Sequence, residues 1–351
     1  MNLEIFPKGI EGDYIELENN QLIFDVKGVL HPKDKKICFL RFYPDPKGDR
    51  IRNNVKYKKI YDLKERFDFL KKNYPQYIFF SEQLDIEIQG VRNSEIKKIY
   101  HPKDFLISLE DKKKLTKTEE LSLELCNLFI EQGGVPKESI GISGSLMVGL
   151  NKDESDIDII IYGTSISHDF QESLNKILLN PNNYCRQYNL EEYKSHYKWR
   201  VGGSNIPFEK FLFSERRKKH QGIFKDREFF IRYIKSPNDW GGTFYDFKYK
   251  NYGRITLIAE IVDATDSIFT PCSYQINPLK IIDIKNIGQQ EIRKDEIIEA
   301  ASFRGRFCEQ AIEGEKILIE GKLEKVYYKT NREYFRILLQ DQINDKMIVI
   351  N

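Results

Sequence analysis

The stretch that most constrains this 351-residue chain is Asp156-Ile157-Asp158-Ile159-Ile160-Ile161, closed by Tyr162. A short run of β-branched residues reads as a buried strand. Side chains alternate along a strand, so Asp156 and Asp158 share one face ~7 Å apart while Ile157, Ile159 and Ile161 share the other. Two carboxylates at the start of an apolar strand are costly to bury unless an ion or ligand offsets them.

The residues just upstream supply a partner. Ile140–Ser143 reads as a short apolar strand that runs through Gly144-Ser145 into a helical turn over Leu146–Leu150. Gly144 lets backbone approach a phosphate, and Ser145 at a helix start offers a hydroxyl and free N–H groups to an anion. Oxygen ligands such as Asp156 and Asp158 suit Mg²⁺, which is held by one or two carboxylates together with substrate phosphates. Alone, Asp-x-Asp is an ordinary solvated strand face and Ser-Gly-Ser an ordinary turn. Adjacent in one chain, they point to a functional site.

Around this centre the hydrophobic period divides the chain into three parts. Residues 1–112 alternate short strands (Asp13–Glu18, Gln21–Lys27, Lys36–Tyr43) with proline and glycine turns, an α+β module. Residues 113–236 form the central domain. There Thr116 and Glu119 make a capping box for a helix carrying Leu121, Leu125, Leu128 and Phe129. Ser167 is placed to cap a helix over Asp169–Leu179, a helical stretch enters at Pro207, and a strand covers Glu228–Ile234. Ser236–Gly253 reads as a linker. Residues 252–351 are all-β: Arg254–Val262, Tyr274–Ile284, and a hairpin of Ile317–Tyr328 with Tyr334–Gln340. Gly314 and Gly321 sit where a small barrel turns its corners, so this part reads as OB-like. The fold class is therefore α+β: a central mixed sheet with helices, flanked by the N-terminal module and the C-terminal barrel.

Composition removes several classes. Lys+Arg 56 against Asp+Glu 54 leaves a net charge of +2, which excludes a histone-like or polyacidic chain. A mean hydropathy of −0.55 and no apolar run near the ~20 residues of a span argue against a membrane protein. No secretory leader is visible, so a cytoplasmic location is expected. Five dispersed cysteines without a CxxC pair read as buried free thiols. Gly141-x-Ser143-x-Ser145 lacks the last glycine of a nucleophile elbow, and the P-loop pattern is absent. The five histidines have no metal spacing and read as surface or turn residues. The echo of Val29–Asp34 in Ile99–Asp104 reads as a strand that twice ends in a proline turn.

Gly144-Ser145 followed by Asp156-Ile157-Asp158 resembles the signature of the DNA polymerase beta-like nucleotidyltransferase superfamily. His31-Pro32, Arg41-Phe42-Tyr43-Pro44-Asp45, Glu215-Arg216-Arg217-Lys218 and Phe269-Thr270-Pro271-Cys272 extend the resemblance to a family of predicted archaeal nucleotidyltransferases over most of the chain. The resemblance implies transfer of NMP from an NTP to a hydroxyl acceptor, with two Mg²⁺ (or Mn²⁺) ions on Asp156 and Asp158 and pyrophosphate leaving. It also implies a third metal carboxylate on a neighbouring strand. Glu228 is the first candidate, with Asp226, Glu209 and Glu260 as rivals.

From Lys210 to Lys235 nine basic residues, Arg216–Lys219 and Arg232 among them, face three acidic ones, a patch suited to triphosphate or a polynucleotide backbone. Arg41, Arg50, Arg52, Lys56, Lys58 and Lys59 beside Tyr43, Tyr57 and Tyr61 suit phosphate contact and base stacking. Tyr327, Tyr328, Tyr334 and Phe335 on the C-terminal hairpin could also stack bases, though strand alternation sends two of them into the core. The expected partners are an NTP and a nucleic-acid acceptor, an RNA or DNA end. The alternative is a non-catalytic nucleic-acid-binding or scaffolding protein, and a missing third carboxylate would favour it.

Overall fold

Thr116 Oγ1 accepts from Glu119 N–H at 3.4 Å while the Glu119 carboxylate accepts from Thr116 N–H at 2.9 Å. This capping box starts the helix Lys117–Glu131. The computed structural model describes residues 4–201, 203–286 and 292–350; the first three residues, part of the leader reading, lie outside them. The protein is α+β, with three sheets. It divides into two compact units, the first made of Met1–Ser81, Ile86–Arg186 and Lys219–Phe244, the second of Glu82–Asp85, Gln187–Lys218 and Tyr245–Asn351.

In the first unit an eight-stranded antiparallel sheet runs in the order Arg50–Arg52, Val55–Lys59, Lys35–Pro44, Ile23–Val26, Tyr14–Leu17, Ile96–Tyr100. Ile86–Arg92 pairs with Lys35–Pro44 and carries Ile78–Ser81. A second sheet orders Cys185–Arg186, Gln221–Phe224, Arg227–Ile234, Ile157–Tyr162, Ile140–Ile142, and only Arg227–Ile234 and Ile157–Tyr162 are parallel.

The second sheet is covered on both faces, which explains why its central strand is so apolar. Helices Lys117–Glu131 and Thr164–Leu179 pack on the face of Ile157, Ile159 and Ile161, where Phe129 meets Phe170 at 5.0 Å between ring centroids. Each such buried side chain contributes about 1.5–3 kcal/mol. The opposite face meets the N-terminal sheet: Tyr14, Ile23, Phe42 and Tyr57 form one apolar cluster with Met147, Val148 and Leu150, and Phe6 and Ile10 another with Ile160, Tyr162 and Ile234. The approach is close enough that a Cβ on Gly12 would stand 2.9 Å from Ile160 Cδ1.

In the second unit the strands run Phe247–Asp263, Cys272–Asn286, Ile297–Ser302, Arg332–Leu338, Lys316–Tyr328, Lys346–Val349. Phe247–Asp263 also pairs with Lys316–Tyr328, so five of the strands close into a ring. Leu257, Tyr274, Ile319, Phe335 and Met347 fill it. Helices Leu190–Val201 and Phe208–Glu215 belong to the same unit.

Several local expectations need correction. Ser167 is not a cap: the helix begins at Thr164, and the Ser167 hydroxyl donates back to the Gly163 carbonyl at 2.6 Å. The supposed linker ends early, because Phe247 already pairs with Tyr328 in the first strand of the ring. His101, His196 and His220 are buried rather than on the surface. The two echoed segments play different parts, since His31 Nδ1 accepts from Ile37 N–H at 3.1 Å while His101 Nδ1 pairs with buried Asp13 at 2.7 Å. Of the four hairpin aromatics only Phe335 enters the core. All five cysteines are free and buried, as expected.

Candidate functional site

Ser143 ends the Ile140–Ile142 strand, and its N–H donates to the Asp158 carbonyl at 2.8 Å. Its hydroxyl donates to the Gly12 carbonyl at 2.5 Å, which ties this corner to the N-terminal segment. Gly144 follows with φ +73°, and a Cβ there would lie 2.0 Å from Asp158 Oδ2. Only glycine fits: the Asp158 carboxylate rests against this backbone. The strand pair and the Gly-Ser turn are therefore one constellation, as their adjacency in the sequence leads one to expect.

Ser145 lies in the one-turn helix Gly144–Met147 and is buried. Its hydroxyl is 3.5 Å from that of Ser155, which itself accepts from Lys152 N–H at 2.9 Å. Ser145 thus braces the loop that delivers Asp156. Asp156 is exposed at the strand's entrance and Asp158 is half-buried beside it. Burial first, and then the neighbouring Asp156, pushes the Asp158 carboxyl up to about 6, although Arg232, Lys59 and Arg41 pull the other way. A carboxyl raised by a second carboxylate is one whose charge is under-compensated.

Arg232 stands two residues beyond Asp158 along the parallel register, with Asp158 opposite Phe230 and Ile160 opposite Arg232. Its guanidinium is held by buried Glu11 at 2.9 Å. Glu11 also accepts from Gly28 N–H at 2.6 Å and from Lys27 at 3.2 Å, and Lys27 reaches Asp25 at 2.9 Å. Tyr14, Gly144, Asp158, Phe230 and Arg232 line a small pocket at this point.

Glu228 is on the correct face. Ile157 pairs with Phe229, so Glu228 follows Asp156 on the same side of the sheet, but its side chain is exposed. Among the described residues no three His, Cys, Asp or Glu side chains come together as a metal-binding group. Of the rivals, Asp226 pairs with Arg227 at 3.2 Å in the preceding turn, and Glu209 and Glu260 belong to the second unit.

The basic run does not form one patch. Lys218 is buried against Glu215 at 2.6 Å, Arg217 pairs with Glu315 at 2.7 Å, and Lys225 pairs with Glu124. Arg50 and Arg52 are likewise engaged: Arg50 donates to the Leu150 carbonyl, and Arg52 bonds the Val148 carbonyl at 3.3 Å and Glu16 at 2.9 Å. They lock the loop after Gly144-Ser145 onto the N-terminal sheet.

Over 335 residues, 93% of this chain and 94% of the other, the sequence is 29% identical to an uncharacterized protein of Methanocaldococcus jannaschii. No protein family matches the chain. No solved structure matches it.

Proposed function

We propose that this protein is a metal-dependent nucleotidyltransferase that moves NMP from an NTP to a hydroxyl acceptor at an RNA or DNA end. The observation that carries the reading is the contact of the Asp158 carboxylate with the Gly144 backbone beside Asp156. Two carboxylates on one strand face, that of Asp158 raised in pKa by burial and by Asp156, and flanked by a turn that only glycine can make, fit a divalent ion completed by phosphate oxygens and water. Asp156 and Asp158 would hold Mg²⁺ or Mn²⁺. When bound, the ions would supply charge neutralisation at the transferring phosphorus and a more acidic acceptor hydroxyl. The chain's own residues would set the geometry: Gly144 keeps the approach to phosphate open, Ser145 fixes the Asp156 loop, and Arg232 adds positive charge beside Asp158. The central mixed sheet would then be a nucleotidyltransferase core.

The ring of strands in the second unit supports an OB-like reading of that part, which would bind the acceptor. Free buried thiols suit a cytoplasmic protein, and no described helix is long and apolar enough to cross a membrane. One observation favours the other reading, a degenerate site that only binds: Glu228 does not join the two aspartates in a group. A single experiment separates the two. The protein is incubated with each labelled NTP, Mg²⁺ or Mn²⁺ and pooled cellular RNA or DNA ends. Incorporation that Asp156→Asn with Asp158→Asn abolishes supports the enzyme; incorporation surviving that change, or none with any acceptor, overturns it.

A further inference from the structure

The strand Lys35–Pro44 carries a β-bulge opposite Ile23–Val26. Ile23 pairs with Phe42 and Phe24 with Leu40, so Arg41 is the extra residue without a partner across the ladder. Bulges of this kind re-aim a side chain, and they gather near active sites. Arg41 Nε is buried and has no hydrogen-bond partner, and neither Arg41 nor Lys59 has an ion pair among the described residues. The neighbouring cations differ, since Lys27 and Arg232 are both taken by Glu11.

Both unpaired cations belong to the candidate site. Lys59 stands on the adjacent strand, opposite Phe42, and its ammonium lies 4.8 Å from the Tyr61 ring, with the Arg41 guanidinium 5.6 Å from the same ring. Each interacts electrostatically with Asp158, and Lys59 also with Asp156. Asp25, which is 8% exposed, leaves Oδ1 without a hydrogen bond and is drawn to Arg41, Lys27 and Arg232. Buried polar atoms are nearly always satisfied, so an unpaired guanidinium nitrogen and an unpaired lysine beside two crowded carboxylates mark a place where a ligand completes the set. The charges agree. Two divalent cations and a triphosphate are together near neutral, so their entry leaves the balance of Arg41 and Lys59 against Asp156 and Asp158 undisturbed.

We infer that Arg41 and Lys59 grip the phosphate chain of the nucleotide, making the N-terminal sheet one wall of the active site. The ligand's identity as a nucleoside triphosphate rests on the proposed nucleotidyl transfer. Guanidinium and ammonium groups are the natural partners of such a chain, Arg by its two-pronged geometry and Lys as a point charge. The basic run Arg216–Lys219, where the sequence placed this role, offers only paired or buried members at Arg217 and Lys218.

The test measures binding of inorganic tripolyphosphate with Mg²⁺ by calorimetry, without any turnover. Arg41→Met and Lys59→Met are each expected to weaken binding about ten-fold or more. Lys72→Met, on an exposed lysine of the helix Leu63–Asn73, should leave it unchanged. Arg41→Lys keeps a positive charge that Asp25 senses and, with Lys59→Met, decides the question if Arg41→Met does not fold. Tripolyphosphate binding that both variants retain, or that the wild type lacks at millimolar ligand, overturns the inference. Nucleotidyl transfer could fail while this binding holds, and the reverse, so the two readings fall separately.

Discussion

Two charge clusters in this molecule have opposite characters. In the second unit Glu215 and Lys218 are almost wholly buried and satisfy each other at 2.6 Å, with His196 at 3.4 Å from Glu215 and the Arg306 carbonyl accepting from Lys218 at 2.6 Å. Burial pushes the Glu215 carboxyl up, but Lys218, His196 and Arg200 outweigh it and hold it well below the carboxylate range. In the first unit Asp158 ends with its pKa raised to about 6, while Arg41 and Lys59 go unpaired. A closed set of charges is a structural device, and an open one is built around something else.

Neutralising the open set should harm chemistry and spare the fold. Asp156→Asn with Asp158→Asn is expected to reduce nucleotide incorporation at least about 1,000-fold, in line with losing charge stabilisation at a reacting centre. Thermal unfolding of the same variant should shift little or upward, because repulsion between the two carboxylates is removed. A large fall in Tm would break the comparison, since it would make these residues part of the scaffold.

The closed set should respond in the opposite way. Glu215→Ala leaves a buried lysine unpaired and is expected to cost about 3–5 kcal/mol in equilibrium denaturation. Glu215→Leu with Lys218→Met should recover most of that loss. The pH dependence has a definite sign. Because the folded carboxyl is held below its unfolded value of about 4.3, its contribution is complete above that value and is lost as pH falls below it. Wild type should therefore lose stability more steeply than Glu215→Gln between about pH 5 and 3. Parallel curves would remove Glu215 from the account.

Two glycines give a finer contrast. Gly144 and Gly134 have nearly equal positive φ, +73° and +71°, but a Cβ at Gly144 meets the Asp158 carboxylate at 2.0 Å whereas one at Gly134 meets nothing within 4 Å. Gly144→Ala should cost about 1–3 kcal/mol and displace Asp158, so incorporation falls with stability. Gly134→Ala should cost about 1 kcal/mol and leave incorporation intact. Equal effects on activity would show that the Gly144 contact carries no function.

What was legible in the sequence follows from range. Gly144, Asp156 and Asp158 lie within one stretch of fifteen residues, so their pattern is local and strand alternation alone puts both carboxylates on one face. Arg41, Lys59 and Glu11 reach the site from strands and turns more than 80 residues away. The sequence marked Arg41 and Lys59 only as members of a basic, aromatic module, in company with Arg50 and Arg52, which hold loop carbonyls instead. The bulge that singles out Arg41 depends on pairing register, which no single strand displays. Glu11 showed no signal at all. Local chemistry likewise predicted the Thr116–Glu119 box, whereas the start of the Thr164–Leu179 helix was misplaced because Thr164 N–H is met by Ser236 Oγ at 3.0 Å, 72 residues away. The helix Leu190–Val201 escaped notice because its apolar positions are few and its buried members include His196 and Tyr193.

The smallest effect tests whether the helical layer under the open set is only a support. Thr116→Ala removes one bond of the capping box at the start of Lys117–Glu131, and a lost N-cap costs ~1 kcal/mol. That helix packs Phe129 against the sheet face opposite Asp158, so the carboxylates should not sense the change. Denaturation midpoints should fall while the affinity for tripolyphosphate with Mg²⁺ stays within two-fold of wild type. Weakened affinity at equal folded fraction would mean that the position of the Ile157–Tyr162 strand, and with it the spacing of Asp156 and Asp158, depends on how firmly the helix beneath it is anchored.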